Sequence, residues 1–384
     1  MRVTVLGAGV AGLTTASRLL AAGCQVRVVA AAPIEQSTSY LAAAVWFPTH
    51  VGPADRVADW GRQTYDVLAE QAARGIPGVV MRESLALYRE PPRKPEWADA
   101  VRGVRAATAA ELPPGYGYPL RYVVPLVEMP RYLPWLAEQA ARGIPGVVMR
   151  ESLALYREPP RQPEWADAVR GVRAATAAEL PPGYGYGLRY VVPLVEMPLY
   201  LPWLAEQVGT NGAKVYARRV HSLRELAEDG VDVIVNCSGL AARELVGDQS
   251  VYPVRGQIAR VSNPGLSMSV RDEQHPEGRA YVHPRQNDCI LGGTLDEHSW
   301  DTRVDLDTAA SILRRCRDIA PALDEATVID HVVGLRPGRP TVRLEEDARD
   351  ETGPRILHNY GHGGAGITIS WGCAEELTAL VLRS

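Results

Sequence analysis

The first thirty residues alternate between apolar runs and one amphipathic run. Val3, Val5 and Leu6 form an apolar run typical of a buried strand. Val10–Ala22 then repeats small and apolar residues at helical spacing, and Gln25–Ala30 is a second short apolar run. A strand, a helix and a second strand in this order predict a βαβ unit, which belongs to an α/β protein with a parallel sheet.

The turn between the first strand and the helix carries the spacing G-x-G-x-x-G. In a βαβ unit the first glycine permits a tight turn, the second lets the backbone approach a pyrophosphate, and the third lets the helix pack closely on the strand. The helix N-terminus can then hold the phosphates with its N–H groups. The turn predicts a dinucleotide site, with a purely structural turn as the alternative. Its residues are Gly7, Ala8, Gly9, Val10, Ala11 and Gly12.

One part of this dinucleotide site is missing from the sequence. The acidic residue that binds the ribose hydroxyls should close the second strand, but the chain there reads Ala30–Ala32. Glu35 is the nearest carboxylate, several residues later. The hydroxyl cluster Ser37, Thr38 and Ser39 follows, and it is either a source of further phosphate contacts or a polar turn.

Two later segments also suggest contacts with a cofactor. DVIVNCSG, Asp232–Gly239, is a short apolar strand that runs into a turn beside a cofactor, or else a plain central strand. His358–Gly372 is rich in glycine and precedes an apolar helix, so its N–H groups can meet an electron-rich group such as a flavin carbonyl. His358 and His362 have no carboxylate or cysteine at ligand spacing, which favours hydrogen bonds that brace the loop over a metal site.

Two side chains are candidates for binding a substrate. Arg336 lies between Leu335 and Pro337 at a predicted strand end, where a guanidinium can hold a carboxylate through two parallel hydrogen bonds. A solvated surface arginine is the alternative. Tyr281 precedes the predicted strand CILGGT and is a packing tyrosine unless it has a partner in a pocket.

The chain contains a near-perfect internal repeat. Leu68–Gln139 recurs as Leu136–Gln207, at an offset of 68 residues. Solenoid repeats diverge in sequence and need at least three copies, so two nearly identical copies indicate a tandem duplication, or an artefact of sequence assembly. The three differing pairs are Lys94 and Gln162, Pro119 and Gly187, and Arg131 and Leu199.

Because a position in a sheet is filled once, we expect one copy to occupy the native place. The second copy is favoured, since Gly187 gives a turn freedom where Pro119 restricts it, and Leu199 continues an apolar helix face. The competing arrangement is a hybrid. In it the start of the first copy and the end of the second take the native places, and roughly residues 91–158 loop out.

Composition excludes several classes of protein. With 41 basic and 45 acidic residues the net charge is -4, and no Lys/Arg block argues for nucleic acid as a partner. The five cysteines are widely spaced without a C-x-x-C pair, which predicts neither a disulfide framework nor a zinc site. No apolar run reaches the ~20 residues of a membrane span, and the ending is not a peroxisomal signal. We expect a soluble, cytoplasmic protein without membrane partners.

Taken in order, these segments resemble the D-amino-acid oxidase family, which includes D-aspartate oxidase. The resembling stretches are VLGAGVAGL, STSYLAAAVWFP, DVIVNCSG, VRGQIARV, YVHPR with ILGGT, GLRPGRPTVRLE and HNYGHGGAGITISWGCA. GLRPxRP followed by HNYGHGGxG is the most specific part. The departures are alanine at positions 31 and 32, Phe47 where a polar pocket residue can occur, a short segment before Tyr281, and the duplication.

The resemblance implies a Rossmann-like FAD-binding domain and a second α+β substrate domain built on a mixed or antiparallel sheet. The first would comprise residues 1–60, 208–250 and 330–384, and the second residues 61–207 and 251–329. Besides Gly7–Gly12, the implied FAD contacts are Ser37, Thr38, Ser39, Ala43, Ala44, Val45, Val220, Ser238, Arg336, Gly363, Gly364, Gly366, Ile367 and Thr368.

The resemblance also implies a reaction, the oxidative deamination of a D-amino acid to a 2-oxo acid, ammonia and hydrogen peroxide, with oxygen as the acceptor that reoxidises the flavin. Arg336 and Tyr281 would hold the carboxylate, the Gly364 carbonyl would receive the amine, and the Cα hydride would pass to flavin N5 without a side-chain base. The alternatives are a D-aspartate-type oxidase, a glycine- or sarcosine-type amine oxidase, and a flavoprotein inactivated by the duplication. A homodimer is left open.

The substrate side chain is the least defined part of this expectation. Phe47 and the many aliphatic residues favour a neutral, apolar D-amino acid. Basic residues near Tyr281 keep an acidic D-amino acid as the alternative. They are Arg271, Arg279, His283 and Arg285.

Overall fold

A computed structural model describes residues 1–42, 46, 51–85, 105–106, 120–121, 152–156, 170–181, 184, 186–272, 275–348 and 353–383. Its strands are β1 (Arg2–Leu6), β2 (Gln25–Ala30), β3 (Val79–Leu85), β4 (Arg105–Ala106), β5 (Leu120–Arg121), β6 (Ser152–Tyr156), β7 (Arg170–Ala174), β8 (Tyr186–Val195), β9 (Lys214–Ala217), β10 (Val233–Asn236), β11 (Tyr252–Ser262), β12 (Ser269–Asp272), β13 (Ala280–Pro284), β14 (Asp288–Gly292), β15 (Asp296–Glu297), β16 (Val328–Gly338), β17 (Arg343–Glu346) and β18 (Arg355–Tyr360).

The α-helices are α1 (Val10–Ala21), α2 (Thr38–Leu41), α3 (Ala54–Ala73), α4 (Met197–Thr210), α5 (Ala242–Leu245), α6 (Leu306–Ile319) and α7 (Gly366–Leu382). Short 3₁₀ turns cover Ile34–Gln36, Ala177–Glu179, Leu223–Asp229, Gly239–Ala241 and Pro321–Glu325.

The first sheet is the predicted Rossmann-like layer. Its described strands follow the order β17, β18, β10, β1, β2, β9, all parallel except the edge strand β17. Val5 and Val235 belong to the larger apolar core, together with residues of α1 and α7, whereas Val29 and Ile234 pack with Leu226 in a second cluster. Because both faces of the sheet are covered, its strands are apolar runs, which is why the sequence predicted them.

The second sheet is mixed, as predicted. Its described strands follow the order β15, β11, β14, β13, β12, β3, β8, β6; in addition β16 pairs with β11, and β7 with β8. β12 and β3 run parallel, and most other neighbours run antiparallel. β16 pairs with β11 along nearly its whole length, so the two strands form a long ladder that reaches the first sheet.

Two predicted domain boundaries fall inside secondary structure. Residue 330 lies within β16, which belongs to the second sheet up to Gly338. Residue 60 lies within α3, which packs on α7, where Thr64 Oγ1 accepts a hydrogen bond of 2.9 Å from the backbone N–H of Gly372. The helix and the strand therefore each continue across the predicted boundaries, and the division into domains stays a prediction.

The two copies of the repeat are joined within one ladder of the second sheet. β3, from the first copy, pairs with β8 as far as Glu83, which lies opposite Val191. β6, from the second copy, continues the ladder, with Ser152 opposite Tyr190, the next residue of β8. Ser152 is the repeat equivalent of Ser84. β3 and β6 together form the single strand that either copy could have supplied alone.

This arrangement is the hybrid, with a junction between Glu83 and Ser152 instead of the predicted loop over residues 91–158. The preference for the second copy is correct for β8 and wrong for the start of the strand before it. The reason is connectivity, because α3 leads through a short turn at 74–78 into β3, and this ties the beginning of the first copy to the sheet.

Part of the extra copy repeats the pairing of its equivalent in the sheet. Arg105 lies opposite Arg121 in a separate two-stranded ladder of β4 and β5. The equivalent residues of the second copy, Arg173 and Arg189, lie opposite each other in β7 and β8. The repeat therefore keeps one local register in both of its copies.

Candidate active site

The β1–α1 turn has the close packing that its glycines predict. Gly7 has a φ of 114°, and a Cβ there would meet the Cys237 carbonyl oxygen at 2.5 Å. A Cβ on Gly12 would overlap the Gly7 carbonyl, so Gly12 serves helix packing. Ser39 Oγ accepts a hydrogen bond of 3.0 Å from the Val10 N–H. The hydroxyl cluster thus lies at the N-terminus of α1.

The second glycine-rich segment leads into α7 beside the first. Gly363 N–H donates to the Pro337 carbonyl at 2.8 Å, which fixes the loop to the end of β16. His362 Nε2 lies 2.9 Å from Asn359 Oδ1, and the other end of that amide donates to Thr15 Oγ1 at 3.1 Å. Burial lowers the pKa of His362 to about 4, so the ring is neutral at physiological pH. His362 braces the loop.

Two adjoining cavities, of about 510 Å³ and about 280 Å³, open between these segments. Both are lined by the β1–α1 turn, by Ser37 and by Ser238. The predicted site residues that line one or both are Gly7, Ala8, Gly9, Val10, Ala11, Ser37, Thr38, Ser39, Val220, Ser238, Tyr281, Arg336, Gly363, Gly364, Gly366 and Ile367.

A few predicted contacts are not found on the cavity walls. Gly12 and Thr368 line neither cavity; Thr368 is buried in the first turn of α7. The structure therefore places both residues in the packing behind the site. Ala43, Ala44 and Val45, and also Phe47, lie outside the described residues.

Arg336 and Tyr281 meet at the end of the larger cavity. The Arg336 guanidinium lies over Gly256 of the neighbouring strand, where any Cβ would overlap it. Arg336 Nη1 donates to the Thr294 carbonyl at 3.2 Å. The Tyr281 ring lies over Gly292, its direct neighbour in β14. Since β11 pairs with β14, and Gly292 lies opposite Ile258, two residues from Gly256, the two functional side chains lie over adjacent strands.

The far end of this cavity is polar. Arg271 lies directly opposite Tyr281 in the sheet, and it lines the cavity together with Arg279 and His283. His283 stacks on Tyr281 with 4.8 Å between ring centroids, and burial, with the nearby Arg271 charge, holds its pKa well below the ordinary value. Arg285 lies elsewhere, paired with Asp288 at 2.6 Å.

The glycines beneath Arg336 and Tyr281 were not predicted as functional residues. Gly256 and Gly292 lie in strands and Gly293 directly follows β14, and the sequence offered only one signal, glycine in or next to an otherwise apolar run. Thr294 was missed too, although its carbonyl and hydroxyl accept hydrogen bonds from Arg336 and from the Gln257 N–H.

The described residues fit a flavin dinucleotide. The Ser238 hydroxyl is buried at the wall of both cavities without a hydrogen-bond partner in the protein, as a group that contacts a cofactor would be. Two glycine-rich helix N-termini face the same cavity, which suits phosphates and ring carbonyls. The larger cavity continues past them to Arg336, so one elongated ligand can reach from the turn to the substrate residues.

The fold and this site define a flavin-dependent oxidoreductase. The family model described as FAD dependent oxidoreductase matches residues 2–380. The chain is 42% identical over 379 residues to a D-amino-acid oxidase of Rubrobacter xylanophilus, which covers 99% of this chain and 95% of that protein. It is 36% identical over 380 residues to a D-amino-acid oxidase of Streptomyces coelicolor, covering 98% and 96%.

A glycine oxidase from Geobacillus kaustophilus has a similar fold, with a TM-score of 0.66 at 20% identity over 99% of this chain and 95% of that one. The chain belongs to the FAD dependent oxidoreductase family. It is an enzyme, and FAD is its cofactor. None of the described helices is long and apolar enough to cross a membrane.

Proposed function

We propose that this protein oxidises D-amino acids with oxygen and water to 2-oxo acids, with release of ammonia and hydrogen peroxide. The observation that carries the proposal is the pair Arg336 and Tyr281 at the end of the larger cavity, opposite the backbone of Gly364. The resemblance of the whole chain to two D-amino-acid oxidases supports it.

Arg336 would bind the substrate carboxylate. A guanidinium has five N–H donors, so the bond to the Thr294 carbonyl leaves enough of them for a bidentate contact. The Tyr281 hydroxyl would add a third donor from β13. The Gly364 carbonyl would accept from the amine, since Gly364 lines the same cavity beside Arg336, whose Cδ would lie 3.7 Å from a Cβ on Gly364. With the carboxylate and the amine held, and the flavin as the third point, one orientation remains for the Cα hydrogen.

Bound FAD supplies the acceptor for the hydride that leaves Cα. Among the described residues that line the cavity, none is a carboxylate that could abstract a proton. This lining supports direct hydride transfer, in which the protein contributes orientation and exclusion of water. An L-amino acid held at the same two points would direct its side chain, and not its hydrogen, towards the flavin.

Substitution of Arg336 tests this function. We expect Arg336→Ala to lower kcat/KM for D-amino acids at least about thirtyfold, since truncating one partner of a charged, hydrogen-bonded pair costs about 2–5 kcal/mol. Arg336→Lys should recover little of it, because an ammonium cannot make the bidentate contact. Turnover is followed by peroxide release with D- and L-enantiomers, and bound FAD by its absorbance.

Arg303→Ala is the matched control, since the Arg303 side chain is 87% exposed and pairs with Asp301. It should leave turnover unchanged. Normal turnover in Arg336→Ala, or equal turnover of L-enantiomers by the unaltered enzyme, would contradict the proposed function.

An acidic D-amino acid is a second candidate substrate. Arg271 and Arg279 line the same cavity as Arg336, and no carboxylate does so among the described residues. Arg271 lies on the same face of the sheet as Tyr281, since residues directly opposite each other point to one side. A substrate with a second carboxylate would complement this positive charge. The sequence alone favoured a substrate with a neutral side chain.

Comparing D-aspartate with D-valine decides between the two substrate classes. Acidic specificity predicts a higher kcat/KM for D-aspartate and its selective loss in Arg271→Met, which keeps an unbranched side chain, shorter than arginine, without the charge. Neutral specificity predicts a higher value for D-valine and no selective effect of that substitution.

We also propose that the enzyme acts in the cytoplasm. None of the five cysteines, all of which the structure describes, forms a disulfide, as is usual for proteins of a reducing compartment. Fractionation of cells that make the protein, followed by the oxidase assay, tests this location.

A further inference from the structure

The smaller cavity lies where four parallel strands end. Leu6, Ala30 and Asn236 are the last residues of β1, β2 and β10, and β9 ends beside β2. The cavity shares the β1–α1 turn with the larger one and extends from it towards Val220, away from Arg336. The pyrophosphate site therefore separates this cavity from the substrate, and the adenosine half of FAD belongs here.

The β2 side of this cavity carries no acid. Ala31 and Ala32 line the wall at the place where a βαβ dinucleotide site usually has its ribose-binding carboxylate. Glu35, the nearest carboxylate in the sequence, is exposed in the following 3₁₀ turn and does not line the cavity.

A carboxylate faces the cavity from the opposite side. Among the described residues that line it, Glu244 alone is acidic. Glu244 lies in α5, which follows β10, and its carboxylate has no hydrogen bond or ion pair within the described parts of the chain. The helix is fixed beside it, because Ala242 is fully buried and Arg243 donates to the carbonyls of Gln249 and Val251 at 2.8 and 2.7 Å.

We propose that Glu244 binds the ribose hydroxyls of the adenosine half of FAD and replaces the acid that is absent from the end of β2. A carboxylate has two acceptor oxygens, which match the two neighbouring hydroxyls of a ribose. β2 and β10 flank β1 on opposite sides. The ribose hydroxyls would therefore donate to a carboxylate that follows β10 instead of one that follows β2. The inference rests on FAD binding alone and is independent of the substrate.

Reconstitution of the apoprotein tests the proposal without an activity assay. The dissociation constant of FAD is measured by flavin fluorescence, alongside that of an FAD analogue built on 2′-deoxyadenosine. We expect Glu244→Ala to weaken FAD binding about tenfold or more, as for the loss of a hydrogen bond to a charged group. The unaltered protein should bind the deoxy analogue more weakly than FAD, and Glu244→Ala should no longer distinguish the two.

Two further variants serve as control and rescue. Glu35→Ala, which removes an exposed carboxylate outside the cavity, should bind FAD like the unaltered protein. Ala31→Glu, added to Glu244→Ala, should restore binding by returning an acid to the end of β2. An undiminished affinity of Glu244→Ala for FAD would overturn the proposal, and so would a loss that is equal for FAD and the deoxy analogue.

Discussion

Arg336 and Tyr281 depend on residues that have no side chain. The space beneath the guanidinium exists because residue 256 is glycine, and the space beneath the phenol because residues 292 and 293 are glycines. Each such glycine destabilises the folded protein by roughly 0.5–1 kcal/mol relative to alanine, because it loses more conformational entropy on folding. Their presence in two adjacent strands is explained by the two side chains that they admit.

We therefore expect Gly256→Ala to displace the Arg336 guanidinium and raise KM for the amino acid, while FAD stays bound. A misplacement of about 1 Å can cost roughly a hundredfold in rate. Steady-state kinetics and the flavin absorbance measure the two effects. Gly209→Ala is the control, since a Cβ on Gly209 meets nothing within 4 Å. If Gly256→Ala kept a normal KM, Arg336 would not be the carboxylate ligand.

Residues of the site differ in how far the sequence predicted them. Those in turns, such as Gly7 and Gly363, carry a local pattern whose physical reason is known, and the structure places them on the cavity walls. Gly256, Thr294 and Glu244 have no such pattern. Their positions depend on which strands become neighbours, and that is settled by the whole fold.

At the level of elements, the duplication allows the chain to depart from the sheet at more than one position along the repeated strand. Ser84 and Ser152 both pair with Ser269 of β12, so equivalent residues of the two copies meet at one position. Because the copies are nearly identical, moving the junction along the repeat replaces residues of one copy by the same residues of the other. The buried apolar area then changes little. The sequence predicted a hybrid as one alternative but could not fix its junction, since that depends on loop closure.

Removal of residues 84–151 joins Glu83 to Ser152 and leaves 316 of the 384 residues. We expect this shortened protein to fold, bind FAD and melt no lower than the full chain, because the ladder along β8 stays intact. Thermal unfolding and FAD content provide the measurement. A shortened protein that is insoluble or free of flavin would show that the extra copy contributes to the fold.

A second deletion distinguishes the copies. Removal of residues 140–207 keeps the first copy, so that Pro119 replaces Gly187 and Arg131 replaces Leu199. Gly187 lies in β8, where it pairs with Leu155 and its carbonyl accepts a hydrogen bond of 2.8 Å from the Ala175 N–H. Proline inside a sheet removes a donor and is disfavoured. This protein should melt at a lower temperature than the one lacking residues 84–151, and equal melting would contradict the argument.

The whole molecule places its chemistry where two sheets meet, and this was only partly predictable. The order of motifs along the chain indicated both layers, because buried strands are apolar runs and glycine turns have fixed spacing. The ladder of β11 and β16, which brings Arg336 to the loop before α7, joins residues about eighty positions apart. No local pattern specifies such a pairing, so the sequence did not show that β16 continues across residue 330.

The stability of the molecule should depend on pH through a histidine at this junction. Burial lowers the pKa of His362 from 6.5 to about 4, so between these values the unfolded chain binds a proton that the folded protein does not. The contribution of His362 to the free energy of unfolding is therefore complete above pH 6.5. It decreases as the pH falls, by roughly 2–3 kcal/mol at about pH 4.5. His283 acts in the same direction.

His362→Gln should reduce this dependence, because glutamine can donate to Asn359 Oδ1 and does not titrate. We expect the urea midpoint of the unaltered holoenzyme to fall more steeply between about pH 7 and 4.5 than that of the variant, with FAD saturating in both. His221→Gln is the control, since His221 is exposed. Equal slopes for all three proteins would mean that the pKa of His362 is the same in the folded and the unfolded protein, so that burial would not keep its ring neutral below pH 6.5.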